Sequence, residues 1–231
     1  MLGTLVADGS AERATGVVQG RVVYRGQAPP PVFVPESGGA SPVLRVDRDS
    51  GGMQYAIVYI DATEDRRGKP LARAPAASRA PVTVVQRGFI FDPPVIAVVE
   101  GQGVRFTNED SSNHNVRSTD VLPRNRFNAY TGAGEEYVHR FARRPDGEPI
   151  ILSCDIHEWM AGWIYVFDHP WFAVTDRHGR FRIDAVPAGT HTLAVRQPAG
   201  GMSRDLPVNV RAGVPAAVEL TWGPTDLKPP R

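Results

Sequence analysis

The sequence predicts an all-β fold, and three observations lead to that prediction. Valine occurs 28 times against 10 leucines, and β-branched residues are typical of strands. The apolar runs are short and end at Gly, Pro or Asp turns, so no segment carries a long helical repeat. The runs are spaced by about ten residues, which is typical of sandwiches and barrels.

Fifteen strands are expected, in three groups separated by turn-forming residues. The first group is expected at 17–24, 44–47 and 54–61. An Ala-, Arg- and Pro-rich stretch at 62–80 indicates a loop or linker. The middle group is expected at 82–86, 95–99, 103–108, 114–118, 136–141, 150–154 and 162–167. The last group is expected at 172–175, 180–184, 191–196, 206–211 and 216–222, before a frayed tail at 223–231.

Charge and cysteine content exclude several classes of function. The 26 Lys and Arg against 25 Asp and Glu leave a net charge of +1, which provides no overall field for nucleic acid. No apolar run approaches the 18 or so residues of a membrane span. The single cysteine, Cys154, excludes an intrachain disulfide and a CxxC motif. Residues 1–15 are interpreted as a tail or the trimmed end of a leader.

One short segment concentrates the metal-binding chemistry. Cys154, His157 and Met160 follow one another at three-residue intervals, and His114 lies forty residues earlier. Two imidazoles, one thiolate and a weak axial thioether are the ligands of a blue copper electron-transfer site. Each residue type alone is usually packing or surface, but their conjunction in this strand context favours copper. The remaining histidines, His139, His169, His178 and His191, are interpreted as surface or turn residues.

The strand pattern predicts how these donors meet. The strands expected at 136–141 and 150–154 are interpreted as a hairpin that delivers Cys154 to a strand end. The strand at 162–167 returns after the loop, and His114 is expected at the same end of the sandwich. Asn115 is expected to brace the loops behind the metal, together with Trp159.

The segment 81–168 resembles the cupredoxins, in particular plastocyanin and amicyanin. The matching residues are Phe91, Pro93 or Pro94, Ile96, Gly101, Val104, Phe106, Asn108, Asp110, His114, Asn115, Val116, Cys154, His157 and Met160. The resemblance implies a Greek-key sandwich with one copper, His114, Cys154 and His157 as equatorial ligands and Met160 as the axial ligand. The segment is also similar to plastocyanin-like proteins of methylamine utilisation, which often carry a Cys near Phe89 and a His near Pro94. Both are absent here.

The flanks carry a second resemblance. Residues 16–29 and 56–60 look like the opening strands of a carboxypeptidase regulatory-like, transthyretin-like sandwich, and 174–222 like its closing strands. A cupredoxin unit at 81–168 is therefore expected to be inserted into a discontinuous sandwich of 16–80 and 169–222. A tandem arrangement, in which 16–80 adds strands to the cupredoxin, is the alternative.

These patterns together predict a type I copper protein that carries single electrons between redox partner proteins. No enzymatic turnover is expected, because a copper oxidase or reductase needs a further copper centre and the sequence lacks the clustered histidines for one. The resemblance implies a periplasmic or secreted protein. An exposed apolar rim of Ile156 and Trp159 around His157 is expected to suit docking of a redox partner. The alternative is a module for copper delivery or storage, or for extracytoplasmic interaction, without electron transfer.

Overall fold

The computed structural model describes residues 14–41, 44–61 and 79–228, and within these ranges the chain is almost entirely β. The two helices in the described ranges are single 3-10 turns, at Pro123–Asn125 and Pro224–Asp226. No helix in the described part is long and apolar enough to cross a membrane. The all-β prediction is therefore confirmed, whereas the loop expected at 62–80 lies almost entirely outside the described residues.

Eighteen strands follow one another along the described ranges of the chain. The first nine are β1 (Thr15–Tyr24), β2 (Val32–Val34), β3 (Gly39–Ser41), β4 (Ile57–Ile60), β5 (Val82–Gln86), β6 (Phe91–Asp92), β7 (Val95–Val99), β8 (Gly103–Asn108) and β9 (His114–Ser118). The next nine are β10 (Phe127–Thr131), β11 (Glu136–Arg140), β12 (Ile150–Ser153), β13 (Ala161–Phe167), β14 (Phe172–Val174), β15 (Arg180–Pro187), β16 (Gly189–Gln197), β17 (Met202–Val210) and β18 (Ala216–Trp222).

The middle strands β5 to β13 pair only with one another, and we call them the inner sandwich. One sheet has the order β10-β9-β12-β13-β7 and the other the order β11-β8-β5-β6. Alternate residues of these strands point inward, as the period-two pattern requires. Their core includes Phe106, Ile150 and Ile164, each at most 1% exposed. Burial of this apolar surface is the main force that holds the two sheets together.

Apart from β2 and β3, which pair with each other, the flanking strands form a second pair of sheets, the outer sandwich. β1 lies between β15 and β18, and β4 and β16 lie side by side in the sheet β14-β4-β16-β17. β1 pairs antiparallel with β15 and parallel with β18, so strands from both ends of the described chain share a sheet. Val22, Ile183 and Trp222 are among the residues buried in its core.

The two sandwiches pack through a third apolar cluster. Every residue of β4 is buried, because β4 has one face in the outer core and the other against the inner sandwich. Val58 and Ile60 point into the outer core, whereas Ile57 and Tyr59 join the third cluster. Tyr59 meets Phe167 of β13 with ring centroids 4.9 Å apart. This apolar cluster holds the two sandwiches together.

Several sequence-based expectations about the elements are wrong. The hairpin of 136–141 and 150–154 does not form: β11 pairs with β8, whereas β12 pairs with β13 and β9 in the other sheet. The chain crosses between sheets after the buried Phe141, and Arg144 anchors the crossing through Asp120 at 2.6 Å. The strand expected at 44–47 is only an isolated bridge between Val46 and Met53. Strands β2, β3, β6 and β10 were not predicted.

The expected frayed tail is also wrong for the residues that the structure describes. Asp226 pairs with Arg204 at 2.9 Å, and the Lys228 N–H donates to the Gly200 carbonyl at 3.0 Å. These contacts hold 224–228 against the turn between β16 and β17. His169, expected at the surface or in a turn, is only 7% exposed, because it lies where the chain passes from one sandwich to the other.

Candidate metal centre

Three neighbouring strands of one sheet bring the predicted metal ligands together. His114 is the first residue of β9, and Cys154 directly follows β12. His157 and Met160 lie in the loop between β12 and β13, which are antiparallel neighbours. Ser153 of β12 is paired with Arg117 of β9, so His114 and Cys154 lie at the same end of the sheet.

The His114, Cys154 and His157 side chains form a compact buried cluster. One ligand atom from each lies within 4.8 Å of the other two. The Nδ1 atoms of the two imidazoles are 2.9 Å apart, and the Cys154 Sγ lies 3.8 Å from the His157 Nδ1. This is the only such cluster of His, Cys, Asp or Glu in the described ranges. Two nitrogens and one sulfur that converge in this way fit a thiophilic transition metal.

Met160 lies at the end of the same loop. Its side chain is 1% exposed and belongs to the same apolar cluster as Cys154. The Met160 N–H donates to the His157 carbonyl at 3.0 Å, which closes the loop into a turn. The thioether is thus held in the apolar core next to Cys154.

Asp110 orients the His114 ring through its Nε2, the nitrogen that does not face His157. The Asp110 Oδ2 lies 2.9 Å from the His114 Nε2, and the carboxylate accepts the Gly88 and Phe89 N–H groups at 2.7 and 3.0 Å. A carboxylate at one ring nitrogen keeps the proton there and leaves the other nitrogen free to bind a metal. Asp110 is among the residues that match the cupredoxin pattern, and its spacing of four residues from His114 is the sequence signal for this role, which was not predicted.

Asn115 connects the cysteine to a polar network. Its Oδ1 accepts the Asp155 N–H at 2.8 Å and lies 3.3 Å from the Cys154 Sγ. Its Nδ2 donates to Asn128 at 2.7 Å and to Asp155 at 3.0 Å. Arg117 bonds Asp155 at 2.7 Å, and this contact lowers the pKa of the Asp155 carboxyl. The loop after Cys154 is therefore fixed to β9 and β10 through side chains of both strands.

Phe89 covers both imidazoles. Its ring meets those of His114 and His157 edge-on, with centroids 5.6 and 5.1 Å apart. The residue has φ +61°, in the left-handed region that favours glycine, and its N–H bond to Asp110 helps to hold it there. Trp159 supports this cover by donating its Nε1–H to the Phe89 carbonyl at 3.1 Å. No local sequence pattern indicates this role of Phe89.

The expected docking rim is only partly exposed. His157 is 5% exposed, slightly more than the fully buried His114, so both imidazoles are shielded from solvent. Ile156 is 51% exposed, whereas Trp159 is half-buried and lies 5.4 Å from the His157 ring. Burial lowers the pKa of His157, and the neighbouring His114 lowers it further. A neutral imidazole is the form that binds metals.

No protein-family model matches the sequence, and no curated protein matches it either. Among solved structures, the chain is similar to a purple cupredoxin from Nitrosopumilus maritimus, with 22% identity over 37% of this chain and 99% of that one, at a TM-score of 0.33. An amicyanin variant in the Cu(I) form is 18% identical over 48% of this chain and 98% of that one, at a TM-score of 0.34.

A further similarity is to the Cu-containing nitrite reductase NirK from Thermus scotoductus SA-01. It is 24% identical over 63% of this chain but only 28% of that one, at a TM-score of 0.34. The chain thus spans about a quarter of the length of that enzyme.

Proposed function

We propose that this protein is a type I copper protein that carries single electrons between redox partners. His114, Cys154 and His157 would be the equatorial ligands and Met160 the axial one. The observation that carries the proposal is the buried cluster of these two imidazoles and one thiol within 4.8 Å. Copper bound there would supply a Cu(II)/Cu(I) couple, and soft sulfur with imidazole suits both states.

The surrounding residues hold the ligands in place whatever the charge at the site. Asp110 orients the His114 ring, and Asn115 ties the Cys154 loop to β9. A site that moves little between two charge states has a small reorganisation energy, which favours fast electron transfer. Cys154 would bind as the thiolate, so its proton leaves when the metal enters.

The apolar cover excludes water from the site. Phe89 lies against both imidazoles, and Trp159 packs beside His157. We propose that electrons pass through the more accessible imidazole, His157, to a partner that docks near the exposed Ile156. The partner is a redox protein, and the compartment is the periplasm or the cell exterior.

The proposal includes the division of the chain into an inserted and a flanking unit. Residues 81–168 would be the copper-binding cupredoxin unit, inserted in a sandwich built from 16–80 and 169–222. Strand pairing supports this division, because β1 and β4 pair only with β14 to β18. The flanking sandwich would serve as the scaffold, in keeping with its resemblance to carboxypeptidase regulatory-like modules.

The test is the visible absorption spectrum of the protein loaded with Cu(II), before and after ascorbate. We expect an intense thiolate-to-copper band that bleaches on reduction and returns on reoxidation, and that is lost in Cys154→Ser. Met160→Gln should keep the copper and shift the reduction potential. A band that survives Cys154→Ser would overturn the ligand assignment. Release of copper on reduction would overturn the carrier function and indicate delivery.

A further inference from the structure

A cavity of about 650 Å³ opens where the two sandwiches meet, beside the cover of the candidate metal centre. Its walls include Tyr55 and Gln197 from the outer sandwich and Ile90, Trp159 and Trp163 from the inner one. Small-molecule sites commonly have volumes of about 300–1,000 Å³ and lie preferentially at domain interfaces. The size and position of this cavity match such a site.

The walls are mostly apolar and rich in flat rings. Phe91, Tyr55, Trp159 and Trp163 all line the cavity, together with several proline and aliphatic side chains. Aromatic walls favour planar ligands, because rings gain both buried area and stacking or edge contacts. The hydroxyl of Tyr55 donates to the Asp92 carboxylate at 3.4 Å, which holds the ring at the wall of the cavity.

The polar groups of the cavity are biased towards positive charge. Arg45 and Lys228 line it, and the described residues that line it include no carboxylate. The Arg45 guanidinium lies 5.2 Å from the centroid of the Tyr55 ring and 3.4 Å from Asp92. A guanidinium has five N–H donors, and within the described residues the contacts of Arg45 with Asp92 and Tyr55 both use Nη1, so other donors of Arg45 can serve a ligand anion.

We propose that this cavity binds a planar aromatic acid, whose ring lies among the tryptophans and whose anionic group pairs with Arg45. This site is separate from the cluster of His114, Cys154 and His157 and does not require a metal there. Trp159 belongs to both neighbourhoods, since its ring lines the cavity and also lies 5.4 Å from the His157 ring.

Naphthoate is a suitable probe, and naphthylmethanol is its neutral counterpart. Calorimetry and tryptophan fluorescence on the full chain, without added metal, should show saturable binding of one naphthoate. Naphthylmethanol should bind about tenfold more weakly, because it lacks the charge-assisted bonds to Arg45. Because no copper is present, this result is independent of the proposed electron-carrier function.

Two variants locate the site. Arg45→Gln should weaken naphthoate binding about tenfold and leave naphthylmethanol unchanged. The matched control Arg48→Gln alters an exposed arginine that does not line the cavity and should have no effect. Ala199 also lines the cavity, and Ala199→Phe, which fills part of it with a ring, should abolish binding in a protein whose circular dichroism is unchanged. Equal affinity for the two probes, or full binding in Arg45→Gln, would overturn the proposal.

Discussion

Asp110 and His114 are joined by a 2.9 Å contact between a carboxylate oxygen and the Nε2 of the ring, whose other nitrogen, Nδ1, faces His157. Only about 10% of the Asp110 side chain is exposed, and it also accepts two backbone N–H groups. The carboxylate therefore links the orientation of a proposed ligand to the backbone turn that carries Phe89.

Asp110→Ala should lower copper affinity about 10- to 100-fold, the usual cost of removing a partner that orients a metal-binding histidine. Competition with a calibrated chelator measures the change. The control is Asp184→Ala, which removes an exposed carboxylate of the outer sandwich. Unchanged affinity in Asp110→Ala would show that the ring is oriented by packing alone.

Asn115→Ala should destabilise the protein by about 1–3 kcal/mol, because the Asp155 N–H and two polar side chains lose their partner. Urea unfolding measures this change, and the absorption band of the copper form should shift because Cys154 loses its neighbour. Asn128→Ala is the matched control: it belongs to the same network but has no hydrogen bond to Cys154 in the structure. A spectral shift of equal size in both variants would contradict a specific role for Asn115.

Phe89→Ala should speed copper removal by a chelator about tenfold, because the hydrophobic cover controls solvent access to the site. Stopped-flow mixing with the chelator measures the rate. Phe89→Tyr is the control, since it keeps the ring and should keep the slow rate. Equal rates for Phe89→Ala and the parent protein would show that solvent reaches the site by another route.

His169 predicts a pH dependence of stability. Burial lowers the pKa of His169 from 6.5 to about 4, and its Nδ1 accepts the Trp171 N–H at 3.2 Å, which only an unprotonated nitrogen can do. Between these values the unfolded chain binds the proton and the folded chain does not. This contribution to stability is therefore complete above pH 6.5, and it is lost as the pH falls towards 4.

The expected loss from His169 is about 3 kcal/mol across that interval. Urea unfolding of the metal-free protein between pH 4 and 7 measures it. His169→Asn keeps an acceptor near the Trp171 N–H and has no titrating ring, so its stability should change less with pH. Identical slopes for the variant and the parent would assign the dependence to other groups.

The hydrophobic pattern predicted the bounds of strands correctly where turn-forming residues lie close to both ends of the strand. The bounds of β5, β7, β8 and β9 agree with the expected ones, because Gly, Pro or Asp residues interrupt the apolar alternation near their ends. β10 was missed because it is a half-exposed strand at the edge of its sheet, with polar residues among the apolar ones. Edge strands bury little, so they leave a weak hydrophobic signal.

Tertiary contacts decided what the pattern could not. No local residue prevents β11 and β12 from forming a hairpin. In the folded protein, however, β11 pairs with β8 in one sheet and β12 pairs with β13 in the other. The sequence spacing of His114, Cys154 and His157 predicted that these side chains converge. The contact of Phe89 with both imidazoles could not be predicted in this way, because it depends on a left-handed backbone conformation that a phenylalanine disfavours. His169 was expected at the surface or in a turn because its sequence lacks the ligand spacing that marks His114 and His157.

The pairing of β1 with β15 and β18 also sets an order of events during synthesis. Thr15 pairs with Pro187 and Val18 pairs with Ala216, so β1 cannot form these contacts until the later residues have been synthesised. Every partner of β5 to β13, in contrast, lies within the inner sandwich. Contacts so distant in sequence form slowly, because a long loop has to close first. The inner sandwich can therefore fold while β1 and β4 are still unpaired. Until β14 to β18 pair with them, the unpaired apolar edges of β1 and β4 are sites at which the folding chain can aggregate.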